Sequence, residues 1–500
     1  MADKFYITTP LYYVNASPHI GHSYTTIAAD CLARYMRNLL GKENVWFLTG
    51  TDEHGQKIQR QAEAEGLTAQ EFVDRMVLQF KNLWQRLDIS YDDFIRTTER
   101  RHTEFVQRAL EIIYKKGDIY EGKYEGWYCT PCETFWPMSK DVAYLCPDCK
   151  RPLEKISETN YFFRLSKYQD WLIQYINKHP DFIRPSSRYE EVLRFLELNK
   201  LNDLCISRPK GRLSWGIPIP FAKGHVTYVW FDALINYISA VGSFDSQNNY
   251  HSEWWPADLQ LIGKDILRQH AIYWPIMLKA LDIPAPKTIF AHGWWLMGES
   301  KMSKSKGNVV SPVEMTDRFG VDAFRYFILR DIPFGSDGNF SEESFMKRLN
   351  ADLANDLGNL VYRTLTMVEK YFKNIIPPQP NRIKNNQAKM IISKTEELSK
   401  TLKISLSITR DYNFSLALED IWEVINMANK YIEDTKPWNL VKENKTDELK
   451  EFIFVLIDTI RKITEFIYPF IPQTAGLIKE QIGQEKINKG KPLFPRIKTT

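Results

Sequence analysis

The sequence contains no run of about 18 consecutive apolar residues, the least a membrane-spanning helix needs, so no transmembrane segment is expected. Nor is a leader expected. Met1-Ala2-Asp3-Lys4 runs almost directly into a hydrophobic stretch at 5–9, so neither a signal peptide nor an arginine-rich transit segment is expected, and a cytoplasmic location is the expectation. No internal repeat and no low-complexity tail occur, which sets aside solenoids and disordered arms. An excess of charge is also missing: 66 basic against 62 acidic side chains leave a net +4. A protein that coats nucleic acid along its length carries more, so any polyanion must be met by a local face. Cysteine is scarce, at six residues. In a chain without export signals these are not expected to form disulfides.

What is present suits a soluble globular protein: 44% hydrophobic and 26% charged residues over 500 positions. At ~150 residues per domain that length predicts roughly three domains. The 14 Trp and 25 Tyr are a richer hint, since aromatic rings stack on bases, though most serve the core.

Residues 5–9 read as a buried strand. Ile27, Ala28, Cys31, Leu32, Tyr35, Met36, Leu39 and Leu40 then follow helical spacing, and Gly41 is placed to stop the helix. A second strand at 44–49 completes a strand–helix–strand unit of the parallel-sheet kind. Pro18-His19-Ile20-Gly21-His22 therefore falls where a strand ends and a helix begins, a place where backbone N–H groups and the helix dipole attract anions. His19 and His22 can hold phosphate there or simply cap the helix, and the pair alone does not choose.

Residues 55–87 and 101–116 read as helical. Near Gly117 the character changes: residues 120–220 show short strand-like runs, turn signals and four of the six cysteines, as expected of an insertion with its own small core. Runs at 226–230, 259–263 and 288–292 read as strands again, with a helix at 270–281, so the expected fold is α/β with a parallel sheet split by the insertion. Beyond about 340 the chain reads as all-helical. One apolar stripe runs through Phe345, Leu349, Leu353, Leu357, Leu360, Val361, Leu365, Val368 and Phe372; another runs through Phe452, Ile453, Leu456, Ile457, Ile460, Ile463 and Ile467. A loop at 376–387 separates them, and the whole predicts an antiparallel bundle.

Two constellations carry chemistry. Cys129-x2-Cys132 and Cys146-x2-Cys149 are thirteen residues apart, the spacing of a tetrahedral Zn²⁺ knuckle with a hairpin between its halves. Four thiolates leave no open position, so the metal would be structural; a redox dithiol is the rival reading. Cys31 and Cys205 read as core. Lys301-Met302-Ser303-Lys304-Ser305-Lys306-Gly307 puts three lysines in a loop able to close over a triphosphate. It lacks the glycines of a Walker A loop, and by composition alone it also suits a solvated surface.

The histidine signature near the start, the lysine loop after the last strands and the bundle behind them together resemble the class I aminoacyl-tRNA synthetases. Thr9-Pro10-Leu11-Tyr12-Tyr13-Val14-Asn15, Thr49-Gly50-Thr51-Asp52-Glu53-His54-Gly55, Ser214-Trp215-Gly216-Ile217-Pro218, Val229-Trp230-Phe231-Asp232-Ala233, Gly263-Lys264-Asp265 and Ala291-His292-Gly293-Trp294 resemble blocks of the methionyl-tRNA synthetase family in particular, over essentially the whole chain. That resemblance implies a Rossmann-type catalytic domain in two halves (1–118 and 223–297), a connective insertion with a zinc knuckle (119–222), a signature-loop region (298–343) and an α-helical anticodon-binding domain (344–500).

It also implies roles. His19, His22, Lys301 and Lys304 would be the catalytic groups around the phosphates of Mg²⁺·ATP, with Asn15, Gly21, Gly263, Asp265 and His292 completing the ATP site. Leu11, Tyr13, Asp52, Trp230, Ala233, Tyr237, Ile266, His270 and Trp274 would hold L-methionine, whose thioether offers mainly dispersion and sulfur–aromatic contacts. Asp52 would pair with the α-ammonium. Asn359, Arg363 and Trp438 would read the anticodon of tRNA(Met), since single-stranded bases are recognised by stacking and edge hydrogen bonds. One departure stands out: Gln269 precedes His270 where the family pattern usually has an aromatic.

Three alternatives remain at this level. A synthetase for Leu, Ile or Val would need a large editing insertion, because a pocket discriminates one methylene by only ~1–3 kcal/mol. The insertion here spans only about 100 residues. An adenylyltransferase of the same superfamily would have no use for the bundle, and a non-catalytic RNA-binding relative would be expected to lose the histidines or lysines, all of which are present. With Pro492-Leu493-Phe494-Pro495-Arg496-Ile497 near the end, no appended OB-like module is expected, and a monomer is the expectation.

Overall fold

The computed structural model describes residues 3–129, 134–136, 145–147, 150–297, 300–301 and 310–497. The chain divides into two units, one of Met1–Pro18, Met36–Gln85 and Ile89–His292, the other of His19–Tyr35, Arg86–Asp88 and Gly293–Thr500.

The first unit is built on a six-stranded parallel sheet in the order Asp93–Arg96, Val45–Asp52, Phe5–Tyr13, Leu259–Gly263, Ile289–His292, Ile183–Arg184. Phe5–Tyr13 is central, and Tyr6, Ile7 and Thr8 are all fully buried, as expected of a strand covered on both faces. Chain order reverses between Phe5–Tyr13 and Leu259–Gly263. In sheets of this kind ligands collect in the crevice beyond the C-terminal ends of the strands at that switch point. Thr8 pairs with Leu48 but Leu11 pairs with Gly50, so one extra residue bulges from the first strand around Pro10, which has no N–H to give the ladder. Beyond the bulge Tyr13 lies opposite Asp52. Gly50 is obligatory at this crossing: a Cβ would fall on the Ile95 carbonyl and lie 2.8 Å from Leu11 Cδ2.

This unit also has an antiparallel four-stranded sheet, ordered Thr134–Trp136, Ile119–Cys129, Glu154–Phe163, Leu204–Cys205. Two helices the sequence reading missed, Gln169–Lys178 and Ser186–Leu198, lie in the chain between its strands Glu154–Phe163 and Leu204–Cys205. Each buries only one apolar pair, Leu172 with Ile176 and Val192 with Leu196, too little periodicity to stand out. The strand expected at 226–230 is corrected. His225–Thr227 pairs antiparallel with Ser207–Pro209, and Val229–Leu234 is helical. A short apolar run does not distinguish a strand from a buried helical turn. The single helix expected at 55–87 is two, Gln56–Ala64 and Ala69–Arg86, parted at Gly66 with φ +69°.

In the second unit a small sheet joins Trp295–Met297 antiparallel to Ser300–Lys301 and parallel to Gly338–Asn339. Helices then dominate, among them Val321–Arg330, Asn359–Phe372, Asn386–Ser405, Phe414–Thr435 and Thr446–Ile467. Both predicted stripes are buried except Phe372, which is half-exposed at its helix end. Among the described residues, no helix is long and apolar enough to cross a membrane.

Candidate active site

In the first unit the switch point gathers the ends of four strands. Leu11 and Tyr13 follow the bulge, and Asp52 ends the neighbouring strand 9% exposed, its carbonyl accepting the Val14 N–H at 3.3 Å. Across the switch Gly263 pairs with His292. A Cβ on Gly263 would lie 2.6 Å from Asp265 Oδ1 and 4.0 Å from His292 Cε1, so Gly263, Asp265 and His292 form one group.

The helical turn that replaces the expected strand carries Trp230, half-buried, and Ala233, buried; Tyr237 follows on Asn236–Ser239 with 1% exposure. Tyr237 Oη lies 2.7 Å from His270 Nε2, and His270 Nδ1 lies 2.9 Å from the Ile266 carbonyl. A carbonyl only accepts, so Nδ1 carries the proton and Nε2 accepts from the tyrosine. Burial lowers the His270 pKa to about 4, with the Ile266 bond opposing it only in part. The imidazole is therefore neutral near pH 7. Trp274 is fully enclosed, its indole N–H given to Gln260 Oε1 at 3.1 Å and its ring 5.7 Å from that of Tyr237. Gln269, the departure from the family pattern, is half-buried in the π-helical turn Gln269–Tyr273 that presents His270. Because the folded pKa of His270 lies below its unfolded value of about 6.5, its contribution to stability is present above pH 6.5 and lost as pH falls through about 4. The thermal midpoint should fall across that window, and less steeply in a His270→Gln variant.

In the second unit His19 and His22 stand at the start of helix Ile20–Leu40, their rings stacked with centroids 3.9 Å apart. His22 Nδ1 accepts the His19 N–H at 3.2 Å, and His19 Nδ1 accepts the Gly21 N–H at 3.1 Å. Both histidines thus cap the helix through Nδ1, which puts the proton of each neutral ring on Nε2, the edge that can donate to an anion. Capping and phosphate binding are compatible rather than rival readings. A Cβ on Gly21 would lie 2.9 Å from His19 Cε1, so only glycine lets that ring fold back onto the helix start. From the same helix, Tyr24 packs on Trp295 and Phe334 at 6.0 and 5.4 Å. Trp295 begins the strand that pairs, through Leu296, with Lys301. Lys304 lies outside the described residues.

Asn359 and Arg363, four apart at the start of helix Asn359–Phe372, are both half-exposed. Trp438 is 46% exposed on helix Pro437–Lys442, so its ring does not plug the bundle. Of the four knuckle cysteines, Cys129 and Cys146 are buried in one small cluster with Leu153; Cys132 and Cys149 lie outside the described residues. Among the described residues no group of three or more His, Cys, Asp or Glu could hold a metal.

The sequence reading assigned no role to several buried ionisable groups. Glu53 is fully buried and bonded by Thr51, Arg96 and Thr98, and Asp232 sits between His54 and His102. In the second unit Arg325 is fully buried against Asp30. Charged residues inside apolar motif blocks were the available signal, since such groups are buried only when paired.

Residues 5–156 and 151–365 match the family model for tRNA synthetases class I (M), and residues 388–496 match that for the anticodon-binding domain of tRNA ligase. The methionine–tRNA ligases of Clostridium acetobutylicum and Caldanaerobacter subterraneus are 50% and 48% identical to the chain, over 99% of it and 78% and 79% of their own lengths. Among solved structures, Mycobacterium tuberculosis methionyl-tRNA synthetase bound by methionyl-adenylate matches with TM-score 0.92 at 37% identity, covering 99% of this chain and 100% of that one. Its apo form matches with TM-score 0.86 at 34% identity, covering 100% and 99%. Identity near one half, held from end to end of the chain, together with the family model over most of it, shows that the chain belongs to the methionine–tRNA ligase family of class I aminoacyl-tRNA synthetases.

Proposed function

We infer that this chain activates L-methionine with ATP and transfers the methionyl group to the 3′ end of tRNA(Met). The observation that supports the reading is the pairing of Asp52 with Tyr13 at the switch point, together with a neutral His270 fixed by Tyr237 and Ile266 in the same unit. Asp52 pairs with the ammonium group, as a charge-assisted bond. The apolar wall of Leu11, Tyr13, Trp230, Ala233, Tyr237, Ile266 and Trp274 takes the thioether, and the fixed polarity of the His270–Tyr237 pair favours sulfur over an all-carbon isostere.

The methionine carboxylate attacks the α-phosphorus in line and pyrophosphate leaves. A hydroxyl of the terminal adenosine of tRNA then attacks the acyl carbon and AMP leaves. No protein nucleophile is needed, and positioning with charge stabilisation does most of the work. His19 and His22 donate from Nε2 to phosphate oxygens, and Lys301 and Lys304 take the charge of the leaving pyrophosphate. Asn15, Gly21, Gly263, Asp265 and His292 border the nucleotide. Mg²⁺ carried in on ATP would offset part of the phosphate charge.

Asn359, Arg363 and Trp438 read the anticodon, a role supported by their exposure. A charging assay tests this: Trp438→Ala should cut methionylation of tRNA(Met) by about tenfold or more, on the scale of ~1–3 kcal/mol per stacked base, while methionine-dependent pyrophosphate exchange stays within twofold. Equal loss of both would make the residue structural.

We further propose that Cys129, Cys132, Cys146 and Cys149 hold one structural Zn²⁺ in the 119–222 insertion. Support comes from the burial of Cys129 and Cys146 together and from the turn in which Lys150, with φ +60°, gives its N–H to the Cys146 carbonyl at 2.8 Å. Freshly purified protein should hold about one zinc per chain; less than about half an equivalent would remove the proposal. The domain division at 118, 222, 297 and 343, a monomeric state and a cytoplasmic location complete the reading.

A further inference from the structure

Asp232 is fully buried, one residue before Ala233 and two after Trp230 on helix Val229–Leu234. Both its carboxylate oxygens are engaged by imidazoles from other parts of the chain. Oδ2 lies 2.6 Å from His54 Nδ1, and Oδ1 lies 2.7 Å from His102 Nε2, on helix Arg100–Lys115. His102 is anchored in turn, its Nδ1 2.8 Å from Ser239 Oγ, two residues beyond Tyr237. A carboxylate takes only donors, so both facing nitrogens carry protons. Burial alone would raise the Asp232 pKa, but the two histidines hold it below the usual range, so the group stays ionised.

His54 follows Asp52 by two residues, and the residue between them is held as firmly. Glu53 accepts Arg96 Nε at 2.7 Å and Nη2 at 2.9 Å, and its carbonyl accepts the Trp215 indole N–H at 2.6 Å. The segment behind Asp52 is thus tied on one side to strand Asp93–Arg96 and on the other, through His54, to the turn bearing Trp230 and Ala233. Binding geometry tolerates errors of only ~0.5 Å, and ties of this kind set it.

We propose that Asp232 is a positioning residue for the amino-acid substrate, fixing the Trp230–Ala233 wall relative to Asp52 through His54 and to the Tyr237 side through His102. With both carboxylate oxygens engaged by imidazoles it acts through His54 and His102, and this role rests on the proposed methionine site.

Asp232→Asn keeps the volume but replaces one acceptor by a donor, so one tie is lost. In methionine-dependent pyrophosphate–ATP exchange its KM for methionine should rise about tenfold or more, with KM for ATP within twofold of wild type. His54→Gln, which cuts the tie from the other end, should give the same selective rise. The double variant should be no worse than the poorer single, because both remove one contact. A folded Asp232→Asn or His54→Gln protein with an unchanged methionine KM, or with methionine and ATP KM raised alike, overturns the proposal; if Asp232→Asn does not fold, His54→Gln decides alone. Wild-type exchange with a different amino acid would instead overturn the methionine reading, and the KM comparison would then be made with that amino acid.

Discussion

His22→Asn should lower methionine-dependent pyrophosphate exchange by about 10²–10³-fold, about 2.7–4 kcal/mol of transition-state stabilisation, with the methionine KM little changed. The substitution separates the cap from the proposed phosphate contact. In the native chain Nδ1 accepts the His19 N–H and Nε2 carries the proton. Asparagine can put its carbonyl oxygen where Nδ1 was and keep the cap, but it offers no donor at the Nε2 position. Glutamine reaches further and restores a donor there, so His22→Gln should recover part of the rate. If the histidine only capped the helix, His22→Asn would keep nearly full activity. The thermal midpoint of His22→Asn, within a few degrees of wild type, checks that the cap has survived.

Arg325→Met should cost about 3–5 kcal/mol of stability, read as an earlier urea transition. Arg325 lies on helix Val321–Arg330 with no exposure, and all three of its nitrogens are engaged: Nη2 meets Asp30 Oδ2 at 2.7 Å and the Pro469 carbonyl at 3.0 Å, Nε meets the Phe470 carbonyl at 2.9 Å, and Nη1 meets the Leu87 carbonyl at 3.0 Å. Asp30 is on the signature helix, and Pro469 and Phe470 follow helix Thr446–Ile467. Methionine fills much of the volume yet leaves three carbonyls without this donor and takes the guanidinium from the buried Asp30, which keeps Arg34 Nε on Oδ2 at 2.8 Å. Lysine, a point charge without the fork, should lose nearly as much. Adding Asp30→Asn to Arg325→Met should recover part of the loss, because the buried charge that drives it is gone. A single variant within about 1 kcal/mol of wild type would mean that the cluster is relaxed rather than held.

Legibility in the sequence followed the physics of each signal. Helix Ile20–Leu40 was readable because its apolar side chains recur at helical spacing and Gly41, with φ +91°, ends it. The central strands were readable because they are buried on both faces. The break in the 55–87 region was written in the chain as Thr68-x-x-Glu71, where Thr68 N–H bonds Glu71 Oε2 at 2.9 Å and Glu71 N–H bonds Thr68 Oγ1 at 3.2 Å, but the continuous apolar pattern hid it. The 226–230 run misled because aromatic and β-branched residues serve a buried helical turn as well as a strand.

The same contrast holds at the site. Asp52 and His270 could be placed by resemblance, whereas the ties behind them could not. His54, His102 and Asp232 lie on three separate stretches, and only the fold brings a carboxylate between two imidazoles. Strand Ile183–Arg184 likewise joins the main sheet from within the 119–222 stretch, a pairing its two residues could not announce.

Amino-acid-dependent exchange of pyrophosphate into ATP by the purified wild-type chain, without tRNA and with each amino acid in turn, tests the central claim most directly. Methionine should support exchange at least about 100-fold better, by kcat/KM, than leucine, isoleucine or valine, since the polar pair at His270 and Tyr237 adds to what an apolar pocket achieves alone. Exchange driven by another amino acid, or none with methionine, would contradict it.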